Sequence, residues 1–293
     1  MEIKIGGVPE HFNTPLHIAK EQGQFLQSGF NVELISCPGG TGEMIEGLKT
    51  GRLDMVMALT EGLVASIAKG ADEFQICGTY VASPLTWVVS SGSNSPYTNT
   101  QNLKGAKIGI SRYGSGSHIM AYVLCEELGW LSSDDLFQFT VLNNFTGLRN
   151  GVNNGDADAF LWERFTTKPY HDSGEIRSIG QIAAPWCAFL MAARKDLLDS
   201  HGDQLNSLLD CITQSCRTFI QNKHQSSIDY VAKMHNQRRD DVEKWFESLA
   251  YADDCKHVSR SMLEKCNETL LKANVITQAA KIDDLCYKNV KLI

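Results

Sequence analysis

Gly51-Arg52-Leu53-Asp54-Met55-Val56-Met57-Ala58-Leu59 and Gly155-Asp156-Ala157-Asp158-Ala159-Phe160-Leu161-Trp162 are two copies of one phrase. In each, a Gly stands three residues before an Asp, and an apolar run follows at once. A helix-like stretch carrying a Leu precedes each copy, Leu48 in the first and Leu148 in the second. Gly and Asp stop a helix and turn the chain, and the apolar run reads as a buried strand. Two copies about a hundred residues apart predict two lobes built on one plan.

The flanking sequence extends the plan in both directions. Ile3 to Val8 alternates like a strand. Thr14 to Gln27 reads as an amphipathic helix, with Thr14 as N-cap, Pro15 at its first position and Gly29 as its stop. Phe30 to Ser36 is a second strand, Gly39 to Gly42 a turn before a helix through Leu48. Asp54 to Leu59 is a third strand, Thr60 to Lys69 a helix and Phe74 to Val81 a fourth strand. After the Ser/Gly/Asn/Pro break at 91–100 the pattern restarts. Ala106–Ser111, Phe137–Leu142, Ala157–Trp162 and a short Ile176–Ile179 are strands; Ser117–Leu128 and Phe145–Asn153 are helices. From about residue 203 the periodicity is helical: Leu205, Leu208, Leu209, Ile212, Cys216, Phe219 and Ile220 share one face. The expectation is an α/β protein of two Rossmann-like lobes with mostly parallel sheets, joined by two crossover strands near 84–91 and 185–190. The first lobe takes 1–88 and 188–293, with the C-terminal helices packed on it; the second takes 89–187.

Composition narrows the function. Lys+Arg number 27 against 34 Asp+Glu, a net charge of -7 without a basic run, which argues against nucleic acid. No apolar stretch approaches the roughly 18 residues of a membrane span. No charged and apolar leader precedes Ile3. Nine cysteines are scattered with no CxxC pair, so neither zinc nor a disulfide framework is expected. The chain is therefore expected in the cytoplasm, with no cofactor, no metal and no membrane insertion.

Together these residues resemble a known family. Ala19-Lys20-Glu21-Gln22-Gly23-Gln24-Phe25 followed by Gly29-Phe30-Asn31-Val32-Glu33-Leu34 is similar to the opening of type II periplasmic binding proteins. Leu48-x-x-Gly51-x-Leu53-Asp54, Leu103-Lys104-Gly105-Ala106-Lys107-Ile108-Gly109 and Gly155-Asp156-Ala157-Asp158-Ala159 match it in order. The resemblance covers roughly residues 1–200. It is strongest to the nitrate, taurine, sulfonate and thiamine-pyrimidine group, and within it to fungal members without an export signal. It implies a small molecule held between two hinged lobes. The fungal thiamine-pyrimidine synthases carry a cofactor-binding lysine and, four residues on, a histidine; the matching positions here are Ala58 and Gly62. Their cysteine-rich run is reduced to Cys187. The resemblance thus favours a binder over that enzyme, with a ligand-sensing regulator as a further alternative.

Ligands of open α/β sheets sit at the carboxyl ends of the strands. That rule selects Glu10, His11, Phe12 and Asn13 after the first strand, and Thr60 and Glu61 after the third. In the second lobe it selects Arg112, Tyr113, Ser115, Gly116, Ser117 and His118, then Asn144 and Phe145, then Trp162 and Glu163. Trp186 joins them at the return crossing. Arg112 with the Ser115–Ser117 helix start suits an anionic group. Glu10, Glu61 and Glu163 suit an amine, amidine or protonated ring nitrogen. Phe12, Tyr113, Phe145, Trp162 and Trp186 could stack on a flat portion, and His11 and His118 are cleft candidates. No nucleophile–base spacing is present, since the adjacent Ser117 and His118 point apart on a helix.

Overall fold

A computed structural model describes residues 1–130 and 137–293. The chain divides into two compact units. Unit 1 comprises 1–83, 186–268 and 276–293; unit 2 comprises 84–185 and 269–275.

Unit 1 opens with β1 (Glu2–Gly7), α1 (Thr14–Glu21), α2 (Gln24–Gln27), β2 (Asn31–Ser36), α3 (Thr41–Lys49), β3 (Met55–Leu59) and α4 (Thr60–Ala68). A long strand, β4 (Phe74–Gly92), then leaves it. Unit 2 continues with β5 (Lys107–Ile110), α5 (Gly116–Glu127), β6 (Gln138–Val141), α6 (Phe145–Asn154), β7 (Ala159–Glu163) and α7 (Arg164–Asp172). The second long strand, β8 (Ile176–Arg194), carries the chain back. It is followed by α8 (Lys195–Gln221), α9 (Ile228–Met234), α10 (Arg239–Ser248), β9 (His257–Val258), α11 (Arg260–Lys272), α12 (Ile282–Leu285) and β10 (Lys291–Leu292).

Within unit 1, β1 pairs parallel with both β2 and β3, and β3 pairs antiparallel with β8. Within unit 2, β5 pairs parallel with β6 and β7, and β7 pairs antiparallel with β4. The sheets are mostly parallel, as the alternating pattern requires. Met55, Val56, Met57 and Ala58 are all buried. A central strand covered on both faces reads as such a continuous apolar run.

The repeated phrase does the same work in both units. Gly51 (φ 73°) and Gly155 (φ 82°) take left-handed backbone that stops α3 and α6. Asp54 then donates its N–H to the Lys4 carbonyl (2.9 Å), and its Oδ2 accepts the Lys4 N–H (2.8 Å). Asp158 repeats both bonds with Lys107, at 2.7 and 2.8 Å. Each carboxylate thus clamps a residue of the neighbouring parallel strand, Lys4 in β1 and Lys107 in β5. Leu53 and Ala157 fill the core beside them. Asp158→Ala is expected to destabilise the protein by about 1–2 kcal/mol, the worth of a charge-assisted bond to a backbone donor. Denaturant unfolding measures it; an unchanged midpoint would remove the clamp from the account.

Several local expectations change. The first helix breaks at Gly23, whose φ of 69° separates α1 from α2. Asn13, not Thr14, occupies the cap position of α1, with Pro15 in the first turn. The strands expected at 74–81 and 176–179 run on to Gly92 and Arg194, because each serves both units. α7 has no counterpart in the sequence reading; Pro169 lies inside it and hides its periodicity.

The C-terminal region completes unit 1 except for residues 269–275, which belong to unit 2 against the expectation that all of 188–293 joins the first lobe. On β4, Thr79 donates to the Cys255 carbonyl (2.9 Å), while Ala82 donates to that of Ala250 (2.8 Å). The Tyr80 carbonyl accepts in turn from Ala252 (3.0 Å). Ile76 bridges Cys286. The first half of β4 is therefore covered along one edge by residues from far down the chain.

Candidate functional site

In unit 1 the loop after β1 is held from below. The Tyr80 and Tyr251 hydroxyls both donate to the Phe12 carbonyl, at 2.8 and 2.7 Å. Phe12 packs on Phe189 and Trp245, and the His11 ring meets the Trp245 edge at 4.5 Å. Burial pushes the His11 imidazole well below its usual pKa, with His235 adding to the effect. His11 and Phe12 are thus core residues clamped by the C-terminal helices, against the sequence expectation that they face a ligand. Asn13 donates its side-chain N–H to the Val8 carbonyl (2.7 Å) and lies with half-buried Glu10 along a cavity described below.

The end of β3 holds a different arrangement. Glu61, in the first turn of α4, is 1% exposed. Its Oε2 accepts the Trp186 indole N–H at 2.8 Å. Its Oε1 is buried with no hydrogen-bond partner among the described residues. Burial raises the Glu61 pKa to about 7, partly offset by the bonds from its own backbone and from Trp186. Beside it the Thr60 hydroxyl donates to the Cys187 carbonyl (2.6 Å) and lies 3.4 Å from the Cys187 sulfur. Burial pushes that thiol up to about 11, the Thr60 contact opposing and the nearby Glu61 reinforcing it. Cys187 is therefore a neutral thiol at physiological pH. Gly62 faces Thr41: a Cβ there would stand 2.5 Å from the Thr41 Cγ2.

In unit 2 the loop after β5 turns its polar groups on itself. The Ser117 hydroxyl accepts the Ser111 N–H (3.1 Å) and lies 2.9 Å from that of Ser115. Ser115 caps α5 by accepting the His118 N–H, and His118 Nδ1 accepts from Gly114 (3.1 Å). The His118 ring packs against Tyr113, Tyr122 and Phe139. Gly116, the first residue of α5, is buried. Ser115, Ser117 and His118 therefore build the loop instead of offering their groups outward. Tyr113 is 65% exposed, and Arg112 is half-buried, its guanidinium pKa lowered by burial.

The remaining unit 2 candidates have structural tasks. Asn144 caps α6 through the Gly147 N–H at 2.9 Å. Glu163 caps α7, its two oxygens accepting from Phe165 (3.0 Å) and Thr166 (2.6 Å). Phe145 stacks on Trp162 at 5.3 Å, and both pack on the core formed with Leu148, Val152 and Phe160. Arg149 lies over Phe145 and Tyr170, at 5.0 and 3.6 Å from the ring centroids. A ring committed to that stack is a wall of the core first.

Two residues escaped the sequence reading. His17 and His235 line a cavity of about 250 Å³ at the ends of β1 and β2. His17 was findable: it follows Asn13 by four residues, one helical turn along the same face. His235 arrives from the C-terminal helices and carried no sequence signal.

The structure of the Candida albicans CA3427 gene product is 33% identical to the chain, covers 100% of it and 96% of its own length, and has a TM-score of 0.87. The family model for Ca3427-like periplasmic binding proteins matches residues 87–182. The chain belongs to the Ca3427-like family. That Candida protein is described as exhibiting the generic periplasmic binding protein fold. More distant likenesses place the Ca3427-like chain in the same fold. The alkanesulfonate-binding protein of Xanthomonas axonopodis pv. citri, solved with MOPS bound, is 16% identical, with a TM-score of 0.81 and 98% of each chain covered. The aliphatic sulphonate binding protein of Escherichia coli is 16% identical with a TM-score of 0.76, covering 100% of this chain and 94% of its own. No curated protein sequence matches the chain. Among the described residues of this Ca3427-like protein, no helix is long and apolar enough to cross a membrane.

Proposed function

We propose that the protein binds a small polar molecule at the carboxyl ends of its strands and acts as a cytoplasmic solute-binding protein. The observation that carries this reading is Glu61. A carboxyl buried to 1% exposure, with one oxygen on Trp186 and the other without a partner among the described residues, lacks a hydrogen-bond donor. Buried polar groups are ordinarily satisfied. The missing donor is assigned to the ligand: an N–H or an O–H reaching Glu61 Oε1. In unit 2, Arg112 is assigned an anionic ligand group and Tyr113 a flat portion. Glu163, Asn144 and the Ser115–Ser117 hydroxyls drop out of the binding set because capping and loop bonds already occupy them. Sulfonate relatives supply the precedent of a small anionic ligand on this fold. Buried thiols at Cys37, Cys77, Cys125, Cys216, Cys255, Cys266 and Cys286 support the cytoplasmic assignment, since a reducing compartment keeps them free.

Two positions favour binding over synthase chemistry. Ala58 is fully buried in β3 opposite Leu190, so a lysine there would place its charge in the core. At Gly62 the contact with Thr41 leaves no space for an imidazole. The test begins with gentle purification from the source cells and mass spectrometry of what denaturation releases. The compound so identified is then titrated against the wild type, Glu61→Gln and Arg112→Ala. Each substitution is expected to weaken binding at least tenfold. Unchanged affinity in both variants would overturn the reading.

A further inference from the structure

The cavity at the ends of β1 and β2 lies outside the binding set just proposed. Its walls come from unit 1 alone, and Thr60, Glu61 and Trp186 are not among them. Its volume of about 250 Å³ is near the lower end for small-molecule sites. Leu16, Leu34, Ile35 and Met234 give it apolar sides. Met234 is 42% exposed, an apolar side chain of the C-terminal region standing in the open at the cavity.

Two of the polar groups in these walls, on His235 and Asn13, have a fixed sense. The Thr14 hydroxyl donates its one hydrogen to the His11 carbonyl at 2.7 Å. Toward His235 Nε2, 3.3 Å away, it can then only accept. The hydrogen of the neutral His235 ring is therefore on Nε2, and Nδ1 is a bare lone pair. That nitrogen has no partner among the described residues. Burial, aided by His17, lowers the His235 pKa to about 4, and burial also lowers that of His17, so both rings are neutral at pH 7. Asn13 gives its amide N–H to Val8 and keeps its carbonyl oxygen as an acceptor. Glu10 adds a carboxylate. Among the described residues, no lysine or arginine lines the cavity. The walls thus combine these acceptors with apolar sides, and the Ser36 hydroxyl and the neutral His17 ring add one donor each.

We propose that this cavity is a second small-molecule site, selective for a small aromatic amine or amidine whose N–H groups meet His235 Nδ1, Asn13 Oδ1 and Glu10 while its ring lies against Leu16, Leu34 and Met234. A carboxylate of the same shape would set its charge against these acceptors, with only the Ser36 hydroxyl and the His17 ring N–H as side-chain donors in the wall. A donor-bearing ring satisfies both features of the wall at once.

Benzamidine and benzoate, which share size and shape, test this on the full-length protein. Histidine-ring and indole signals are followed by NMR during titration. Benzamidine is expected to bind saturably in the millimolar range or below, moving the His17 and His235 signals and leaving the Trp186 indole N–H in place. Benzoate is expected to bind at least tenfold more weakly. Leu34→Trp, which fills the cavity, should abolish benzamidine binding, and His235→Leu, which removes the Nδ1 acceptor, should weaken it at least fivefold. Should Leu34→Trp not fold, His235→Leu and the benzamidine-to-benzoate ratio remain decisive. Equal affinity for benzoate, no saturable benzamidine binding, a response at Trp186 in place of the histidines, or zinc competing benzamidine away at micromolar levels would overturn the proposal. Because the readout is local, failure here leaves the Glu61 reading standing, and the reverse also holds.

Discussion

Glu61→Gln is expected to make the protein more stable above neutral pH, by about 2–3 kcal/mol, while leaving it nearly unchanged near pH 4.5. Burial raises the Glu61 pKa from 4.5 to about 7, and a folded-state pKa higher by one corresponds to about 1.4 kcal/mol. A carboxyl raised in the folded state holds its proton there at pH values where the unfolded chain has lost it. Its stabilising contribution is complete below pH 4.5 and is lost as pH rises toward about 7. Gln mimics the protonated form and keeps an oxygen for the Trp186 N–H, so the variant escapes that loss. Its amide N–H₂ gains no acceptor, which trims the advantage. Denaturant unfolding of both proteins at pH 4.5 and pH 8 gives the difference directly. A gap that stays constant across this range would show that Glu61 does not titrate in the fold. A ligand that donates to Oε1 would favour the carboxylate and release a proton, so binding at pH 7 should acidify unbuffered solution.

Gly78→Val is expected to destabilise unit 1 by roughly 3–4 kcal/mol, combining overpacking with broken backbone bonds. A Cβ at Gly78 would stand 2.0 Å from the Cys255 carbonyl oxygen and 3.0 Å from the Met191 methyl. The backbone oxygen cannot step aside without lengthening its bond from Thr79 and loosening those of Ala252 and Ala82. The C-terminal segment would detach from β4, taking Tyr251 and its bond to Phe12 with it. Thermal unfolding and amide exchange at Thr79 and Ala252 both report the effect. Gly105→Asn is the comparison: φ is 73° there but the space is open, so a loss under about 1 kcal/mol is expected. Equal effects at the two sites would mean that the loss of glycine itself, and not the close approach of strands, explains Gly78.

The lobe plan was legible because its signals are local. Gly51 and Gly155 stop helices by taking a conformation that L-residues resist, and Asp54 and Asp158 follow at the spacing that reaches a neighbouring strand. The binding set was legible only as a list of loops. Of its members, Ser115, Asn144 and Glu163 do what short polar residues do at helix starts, and local spacing suffices for that. The lengths of β4 and β8 were not legible, since the Ser/Gly/Pro signals around residues 91–96 mark where β4 ends, not where it passes from one unit to the other.

Three facts belong to tertiary structure alone. Glu61 meets Trp186 across 125 residues of chain, Thr14 meets His235 across 221, and Phe12 meets Tyr251 across 239. By itself the sequence determined two α/β units on one repeated phrase, because helix stops, strand starts and apolar periodicity act within a few residues. Tertiary structure alone decided which polar groups are engaged and which are left wanting. Burial and hydrogen-bond satisfaction are set by whatever the fold brings alongside, and here that is the distant C-terminal helices and the returning strand.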